Sequence, residues 1–308
     1  MGRFIGNRLL TALPTLLVIA TLAFLLLHLT PGGPFDSGKM LVPEIQHSIE
    51  SHYHLNEPVG RQYLRYLRDL VHGDLGPSFQ YRNTSVNELI RQSLPVDLAI
   101  GSIAMLLALV AGIGIGLRAA TWVGTWRDQL LTGCAMLGIS IPVFVTAPLL
   151  ILVFAIHLHW LPSGDWVAGS WRHALLPAVA LALPYTAYIV RIVRAAAIDA
   201  LAQPFMRTAR AKGLSMPIIL FRHALRPTLL PLASYLGPAL AGMLTGSIVV
   251  EQVFGLPGIG RLFLTGALNR DYTLVTGITI VYGAFIIGLN FLVDLSYAWL
   301  DPRLRAQP

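Results

Sequence analysis

The residues best placed to act on a partner form one basic stretch, residues 204–227, which reads PFMRTARAKGLSMPIILFRHALRP. Pro204 and Gly213 bracket a short helix, because proline favours the first turn of a helix and glycine favours the position after the last. Ser215 can cap a second helix, which we expect to end before Pro227. The pattern predicts two short helices joined at a tight glycine turn, and such a rigid element can transmit a push from another protein.

Two other interpretations of this stretch remain open. A DNA-binding helix-turn-helix has a similar outline. A loop that is basic only because of membrane topology also has this composition. Apolar segments on both sides of the stretch argue against DNA binding, because they would tie both of its ends to a membrane.

A second group of residues surrounds Glu251, which is followed by Phe254, Pro257, Gly258 and Gly260. Glycine and proline at the end of an apolar segment indicate a tight turn or a re-entrant structure. Glu251, Phe254 and Gly258 are therefore candidates for an outer gate or a substrate path. The carboxylate of Glu251 could meet the ammonium group of a substrate, and a turn without further function is the alternative.

The sequence contains little that could catalyse a reaction. It has no Gly-x-x-x-x-Gly-Lys-Ser/Thr loop, so we expect no ATP binding by this chain. No charged residue lies in the middle of an apolar segment, whereas proton-coupled carriers need an Asp, Glu or His there. There is no His-Glu-x-x-His motif and no Cys/His spacing of a zinc site. We therefore predict a chain that is not an enzyme, with no metal site and no cofactor of its own.

Membrane helices are the elements that must position these residues. Of 308 residues, 55% are hydrophobic and 12% are charged, which is about half the charged fraction of a soluble domain. A helical span needs roughly 20 apolar residues. Six segments qualify, near residues 9–29, 96–117, 130–156, 174–193, 229–250 and 274–295. The third is interrupted at residues 138–142, so we expect a kink or a break there.

The net charge of +7 reports orientation rather than a nucleic-acid partner. Arg and Lys concentrate in the termini and in the loops on one side, and the positive-inside rule places that side in the cytoplasm. We therefore predict a multi-pass protein of the inner or plasma membrane, surrounded by lipid, with both termini cytoplasmic. The chain divides into residues 1–29, an extracytoplasmic segment 30–95, and a core 96–308 with a cytoplasmic loop 194–228.

The extracytoplasmic segment has helix signals of its own. Asn56-Glu57-Pro58 is typical of a helix start, and Gly73 is typical of its end. Ser85-Val-Asn-Glu88 has the form of a capping box, which predicts a short amphipathic helix that ends at Pro95. The segment is either a solvated cap over the membrane helices or a docking surface for a soluble partner.

Several motifs together resemble one protein family. Arg207-Thr-Ala209-x-x-x-Gly213, followed by Phe221-Arg-His-Ala-Leu-Arg226, is similar to the cytoplasmic EAA-type motif of ABC importer permeases, and within them to the peptide/nickel branch. The general motif has Glu where this chain has Arg207. Matching stretches elsewhere are Gly73-Asp-Leu-Gly76-x-Ser78, Glu251-x-Val-Phe-x-x-Pro-Gly258-x-Gly260-Arg-Leu262, and Asp294-Leu-x-Tyr-x-x-Leu-Asp-Pro-Arg303.

The resemblance implies an all-α membrane protein with about six transmembrane helices, built like a type I ABC importer permease. An extracytoplasmic segment would lie between helices 1 and 2, and a cytoplasmic coupling-helix loop between helices 4 and 5. The chain would pair with a second homologous permease on two cytoplasmic ATPase subunits, which use ATP and Mg. An extracytoplasmic binding protein would deliver the substrate.

The resemblance also implies site residues and a substrate class. The ATPase-coupling residues would be Arg207, Thr208, Ala209, Arg210, Ala211, Lys212, Gly213, Leu214, Phe221, Arg222 and His223. The substrates would be dipeptides or oligopeptides. Nickel, haem or another small solute imported by the same machinery is the alternative, and a secondary carrier that acts alone is a further one.

Overall fold

The computed structural model describes residues 2–29 and 56–300, which form helices and no β-sheet. Residues 30–55 of the predicted extracytoplasmic segment and the end of the tail motif lie outside the described residues. In chain order the α-helices are α1 Gly2–Leu29, α2 Val59–Val71, α3 Val86–Ala120, α4 Trp126–Ser140, α5 Val143–Leu150, α6 Trp171–Ala202, α7 Pro204–Ala211, α8 Met216–Ile218, α9 Leu225–Leu244, α10 Ile248–Phe254, α11 Ile259–Leu268 and α12 Tyr272–Leu300. Two π-helices, Ile151–His157 and Ile219–Ala224, directly follow α5 and α8.

Four described helical segments are long and apolar enough to cross a membrane, namely Val86–Ala120, Trp171–Ala202, Met216–Leu244 and Tyr272–Val293. Two broken pairs raise that number to at most six: α4 with the helix Val143–His157, and α10 with α11. Helix α1 adds a shorter apolar stretch, Leu10–Leu26. The predicted class, an all-α membrane protein, is confirmed.

The third predicted segment breaks where the sequence indicated. Helix α4 ends at Ser140, Pro142 precedes α5, and the two helices are bent by 104°. Gly138 allows the end of α4 to approach α6 closely, because an added Cβ would lie 2.5 Å from the carbonyl oxygen of Leu183. The break is therefore fixed by packing as well as by the missing N–H of proline.

Three predicted helix ends are wrong. Pro95 lies inside α3 and Pro227 lies inside α9, so neither stops its helix. Pro227 lies three residues after the end of a π-helix, and that wider turn already departs from the regular bonding pattern that proline would interrupt. Conversely, α9 ends at Leu244 and not at residue 250, because Gly246 turns the chain with a φ of +79°.

The chain forms two compact units. The first consists of Met1–Pro95 and Pro257–Phe285, and the second of Val96–Leu256 and Ile286–Pro308. Apolar side chains of α3, α11 and α12 form the core of the first unit: Val86, Leu89, Ile90, Ile259, Leu274 and Ile278. In the second unit, small residues of α3 let α6 approach closely, since a Cβ on Gly112 would come within 2.5 Å of Ile189.

Candidate coupling site

The basic stretch folds locally as its sequence predicts in its first half. Pro204 occupies the first turn of α7, and the helix ends at Ala211. Gly213 adopts a φ of +75°, and its N–H donates to the carbonyl of Arg210 at 2.9 Å. This left-handed turn suits glycine because a Cβ is strained there. It turns the chain between α7 and α8.

The second half differs from the prediction. Only Met216–Ile218 is α-helical, residues Ile219–Ala224 are π-helical, and α9 continues without a loop. Met216–Leu244 is thus one helical segment of 29 residues. Thr228 donates its hydroxyl to the carbonyl of Ala224 at 2.7 Å, next to Pro227, which has no N–H. The basic stretch is therefore joined directly to a candidate membrane span.

An apolar core holds the two halves of the stretch together. Its buried members are Ala200, Met206, Ala209, Ile219, Leu220 and Ala224. They come from the end of α6, from α7 and from the π-helix, so that α7 cannot move independently of either neighbour without exposing apolar surface. We call residues 204–224 the coupling segment.

The opposite face of the coupling segment carries most of the predicted site residues. Exposed are Arg207, Thr208, Arg210, Ala211, Lys212, Gly213, Phe221 and Arg222, whereas Leu214 and His223 are half-buried. Ala209 is buried in the core just described, so its small size serves packing. Within the described residues, none of the four exposed cations on this face forms an ion pair with a carboxylate of this chain.

Sequence reasoning missed the apolar part of this face. Phe205, Met216 and Ile218 are 49%, 41% and 44% exposed, beside Phe221 at 64%. The sequence offered no local signal for these side chains, because helical periodicity does not separate a core face from an exposed one. Together with the cations they form a surface suited to an apolar groove with an acidic rim on another protein.

A buried ion pair fixes α4 to α6 shortly before the coupling segment. Arg194 donates from Nε and Nη2 to the two carboxylate oxygens of Asp128 at 2.7 and 2.6 Å. The side chain of Asp128 is only 4% exposed and also accepts the N–H of Gly124. Such a two-pronged pair orients both helices. The sequence did not indicate that these two residues pair.

The three candidates for an outer gate are all buried. Glu251 and Phe254 lie in α10 of the second unit, and Gly258 precedes α11 in the first unit. In the second unit, Glu251 lies close to Asp97, because a Cβ on Gly246 would lie 3.0 Å from Oδ1 of Asp97 and closer still to Oε1 of Glu251. The sequence did not indicate that these two carboxyl groups lie near each other. The gate assignment stays a prediction.

The Gly73–Ser78 motif connects two parts of the first unit that are distant in sequence, because Ser78 bonds to Asp271. Asp271, fully buried, accepts hydrogen bonds from the Ser78 hydroxyl and from the backbone N–H of Gln80. Its other oxygen accepts the N–H of Leu274 at 3.2 Å and so caps α12. Sequence reasoning missed Asp271, although an acid before a long apolar helix is a recognisable capping signal. In the described ranges no three His, Cys, Asp or Glu side chains group as metal ligands.

Comparison with known proteins adds a family assignment to this geometry. Residues 112–306 match the family described as the binding-protein-dependent transport system inner membrane component, and residues 1–101 match the corresponding N-terminal family. The chain is 50% identical over 305 residues to the oligopeptide transport system permease protein OppB of Escherichia coli K12, covering 99% of this chain and 100% of that protein.

Two further relatives are less similar to this chain than that protein. The dipeptide transport system permease protein DppB of Bacillus subtilis is 38% identical, with 99% and 98% covered. The glutathione transport system permease protein GsiC of Escherichia coli O6:H1 is 34% identical, with 99% of each chain covered. Among solved structures, a chain of the MetNI methionine ABC transporter aligns with a TM-score of 0.54 at 16% identity, over 69% of this chain and 96% of that chain. The last likeness concerns the fold alone.

Proposed function

This chain belongs to the family of binding-protein-dependent transport system inner membrane components, and from this premise we propose that it is a permease subunit of an ATP-driven peptide importer. With a second, homologous permease it forms the path for dipeptides or oligopeptides. An extracytoplasmic binding protein delivers the peptide. The 50% identity to an oligopeptide permease over the whole chain supports this substrate class.

The observation that carries the coupling part of the proposal is the exposed face of the coupling segment. Arg207, Arg210 and Lys212 are exposed, as are Phe205 and Phe221, on a scaffold whose buried side chains form a core. When a partner ATPase binds this face and changes conformation, the coupling segment moves with it as a rigid body. Because Met216–Leu244 is one helical segment, the displacement passes directly into a membrane span.

The location of this face belongs to the same proposal. We place the coupling segment and both termini in the cytoplasm, on the side where Arg and Lys concentrate. Two ATPase subunits bind ATP and Mg there, one against this chain and one against the second permease. This chain itself transports and does not hydrolyse ATP.

The test uses the complete complex of two permeases and two ATPases in proteoliposomes, with the binding protein and a radiolabelled tripeptide. Arg210→Glu/Lys212→Glu reverses two exposed charges of the coupling face. We expect the ATPase subunits to dissociate from this variant during purification and peptide uptake to fall by at least tenfold, because like charges then face the acidic rim.

The matched control is Arg61→Glu/Arg68→Glu, which reverses two exposed charges on α2. It should keep its ATPase subunits. Normal assembly and uptake by the coupling-face variant would refute the coupling assignment. Uptake of nickel or haem in place of the tripeptide would support the alternative substrates, and uptake by this chain without ATPase subunits would support a secondary carrier.

A further inference from the structure

Aromatic and basic side chains meet on the turn between α3 and α4. We call Arg118, Trp122, Val123, Trp126 and Arg127 the interfacial patch. Trp126 is 68% exposed and Val123 is 51% exposed, and both arginines are exposed as well. The patch lies in the second unit, at the ends of two candidate membrane helices.

Both arginines stack on one indole ring. The guanidinium carbon of Arg118 lies 4.6 Å from the centre of the Trp122 ring, and that of Arg127 lies 5.3 Å from the same centre. Arg127 also lies 5.6 Å from the centre of the Trp126 ring. Cation–π contacts hold guanidinium groups in place while their N–H donors stay available at the edge.

No carboxylate of the described residues neutralises these two cations. Arg118 and Arg127 form no ion pair there. The adjacent acid, Asp128, is buried and engaged with Arg194. Two like charges on one ring repel each other, so that an anion bound between or beside them would lower the energy of the patch.

The turn that carries the patch is ordered by its own hydrogen bonds. Thr121 donates its hydroxyl to the carbonyl of Arg118 at 2.8 Å, and Thr125 donates to the carbonyl of Trp122 at 2.7 Å. The N–H of Gly124 donates to Asp128 at 3.2 Å. The patch is therefore built before any ligand arrives.

We propose that the interfacial patch binds the headgroup of an anionic phospholipid. The two guanidinium groups donate hydrogen bonds to the phosphate oxygens, which match their planar geometry. Tryptophan prefers the boundary between headgroups and acyl chains, and Trp126 and Val123 cover the glycerol and the first methylenes. Free phosphate lacks this apolar part, which selects the lipid.

The experiment titrates the purified complex with phosphatidylglycerol or phosphatidylcholine in detergent and counts bound lipids by native mass spectrometry. Arg118→Gln/Arg127→Gln should weaken phosphatidylglycerol binding about 25-fold, since each guanidinium contributes about fivefold. Phosphatidylcholine binding should stay unchanged. Arg82→Gln/Arg91→Gln, which removes two exposed charges elsewhere, is the control and should keep phosphatidylglycerol.

Trp122→Leu separates the two parts of the proposal. It keeps both charges but removes the ring that aligns them, and we therefore expect this variant to bind phosphatidylglycerol more weakly. In the wild-type complex, inorganic phosphate should not displace bound phosphatidylglycerol. Equal phosphatidylglycerol binding by wild type and the double glutamine variant would overturn the proposal. Loss of the ATPase subunits from that variant with lipid binding intact would also overturn it, by assigning the patch to a protein interface.

Discussion

Replacing Gly213 tests whether the turn between α7 and α8 transmits motion. Its φ is +75°, and an added Cβ would meet nothing within 4 Å. The energetic penalty of a side chain therefore comes from the backbone alone. For alanine in the left-handed region it is about 1–2 kcal/mol, which changes the ratio of native to opened turn by about 5- to 30-fold. Asparagine tolerates this conformation better.

Proline has a larger effect because its ring fixes φ near −65°. We expect Gly213→Pro to insert into the membrane and assemble normally, but to hydrolyse ATP without moving peptide. Gly213→Ala should be intermediate and Gly213→Asn close to wild type. The assay is peptide uptake per ATP hydrolysed in proteoliposomes that contain the complete complex.

Gly169 supplies a matched control, because its φ is +78° and its surroundings are equally open. Gly169→Ala imposes the same backbone strain outside the coupling segment. It should reduce stability to a similar extent and leave uptake per ATP unchanged. If Gly213→Pro transported with wild-type coupling, or if Gly213→Asn failed as badly as the proline variant, the reasoning would be refuted.

Three further perturbations follow from the contacts. Arg194→Gln should lower the free energy of unfolding by about 2–3 kcal/mol, because it leaves buried Asp128 without its cation, and Asp128→Asn added to it should restore more than half. A double-mutant cycle in mixed micelles measures this, and additive losses would contradict it. Asp271→Asn should lower the opening free energy of the Gly73–Ser78 amides, measured by hydrogen exchange, by about 1–3 kcal/mol. Amides of the second unit should keep their protection. Gly246→Ala should destabilise the chain by at least ~1 kcal/mol more than Gly255→Ala in thermal unfolding, since both have positive φ but only the first Cβ would contact carboxylates. Equal losses would argue against that crowding.

Hydropathy and local turn chemistry predicted much of this fold. The predicted apolar segments are helical, and the predicted break at residues 138–142 is present. Gly213 has the positive φ that is typical of glycine at a helix end. The predicted helix start at Ser85 is also present, because the Ser85 hydroxyl accepts the N–H of Glu88 at 3.2 Å. These features depend on a few neighbouring residues, which a sequence shows directly.

The remaining features depend on distant neighbours. Asp128 and Arg194 are 66 positions apart, and nothing local to either one indicates that they pair. The continuation of the helix through Pro227 depends on a π-helical turn, and no residue type specifies such a turn. The apolar face at Phe205 and Ile218 became visible only when the core behind it was known, because helical periodicity alone does not separate a core face from a docking face.

The contact between Ser78 and Asp271 spans 193 positions of the chain. A ribosome adds about 5–20 residues per second, so roughly 10–40 s pass between synthesis of the serine and of the aspartate. Throughout that interval the Gly73–Ser78 motif lacks its partner, and the stretch Pro257–Phe285 of the first unit is absent or incomplete. The first unit is thus begun first and completed nearly last during biogenesis. A nascent chain truncated before residue 257 would retain the second unit's main helices and expose an unfinished first unit to proteolysis.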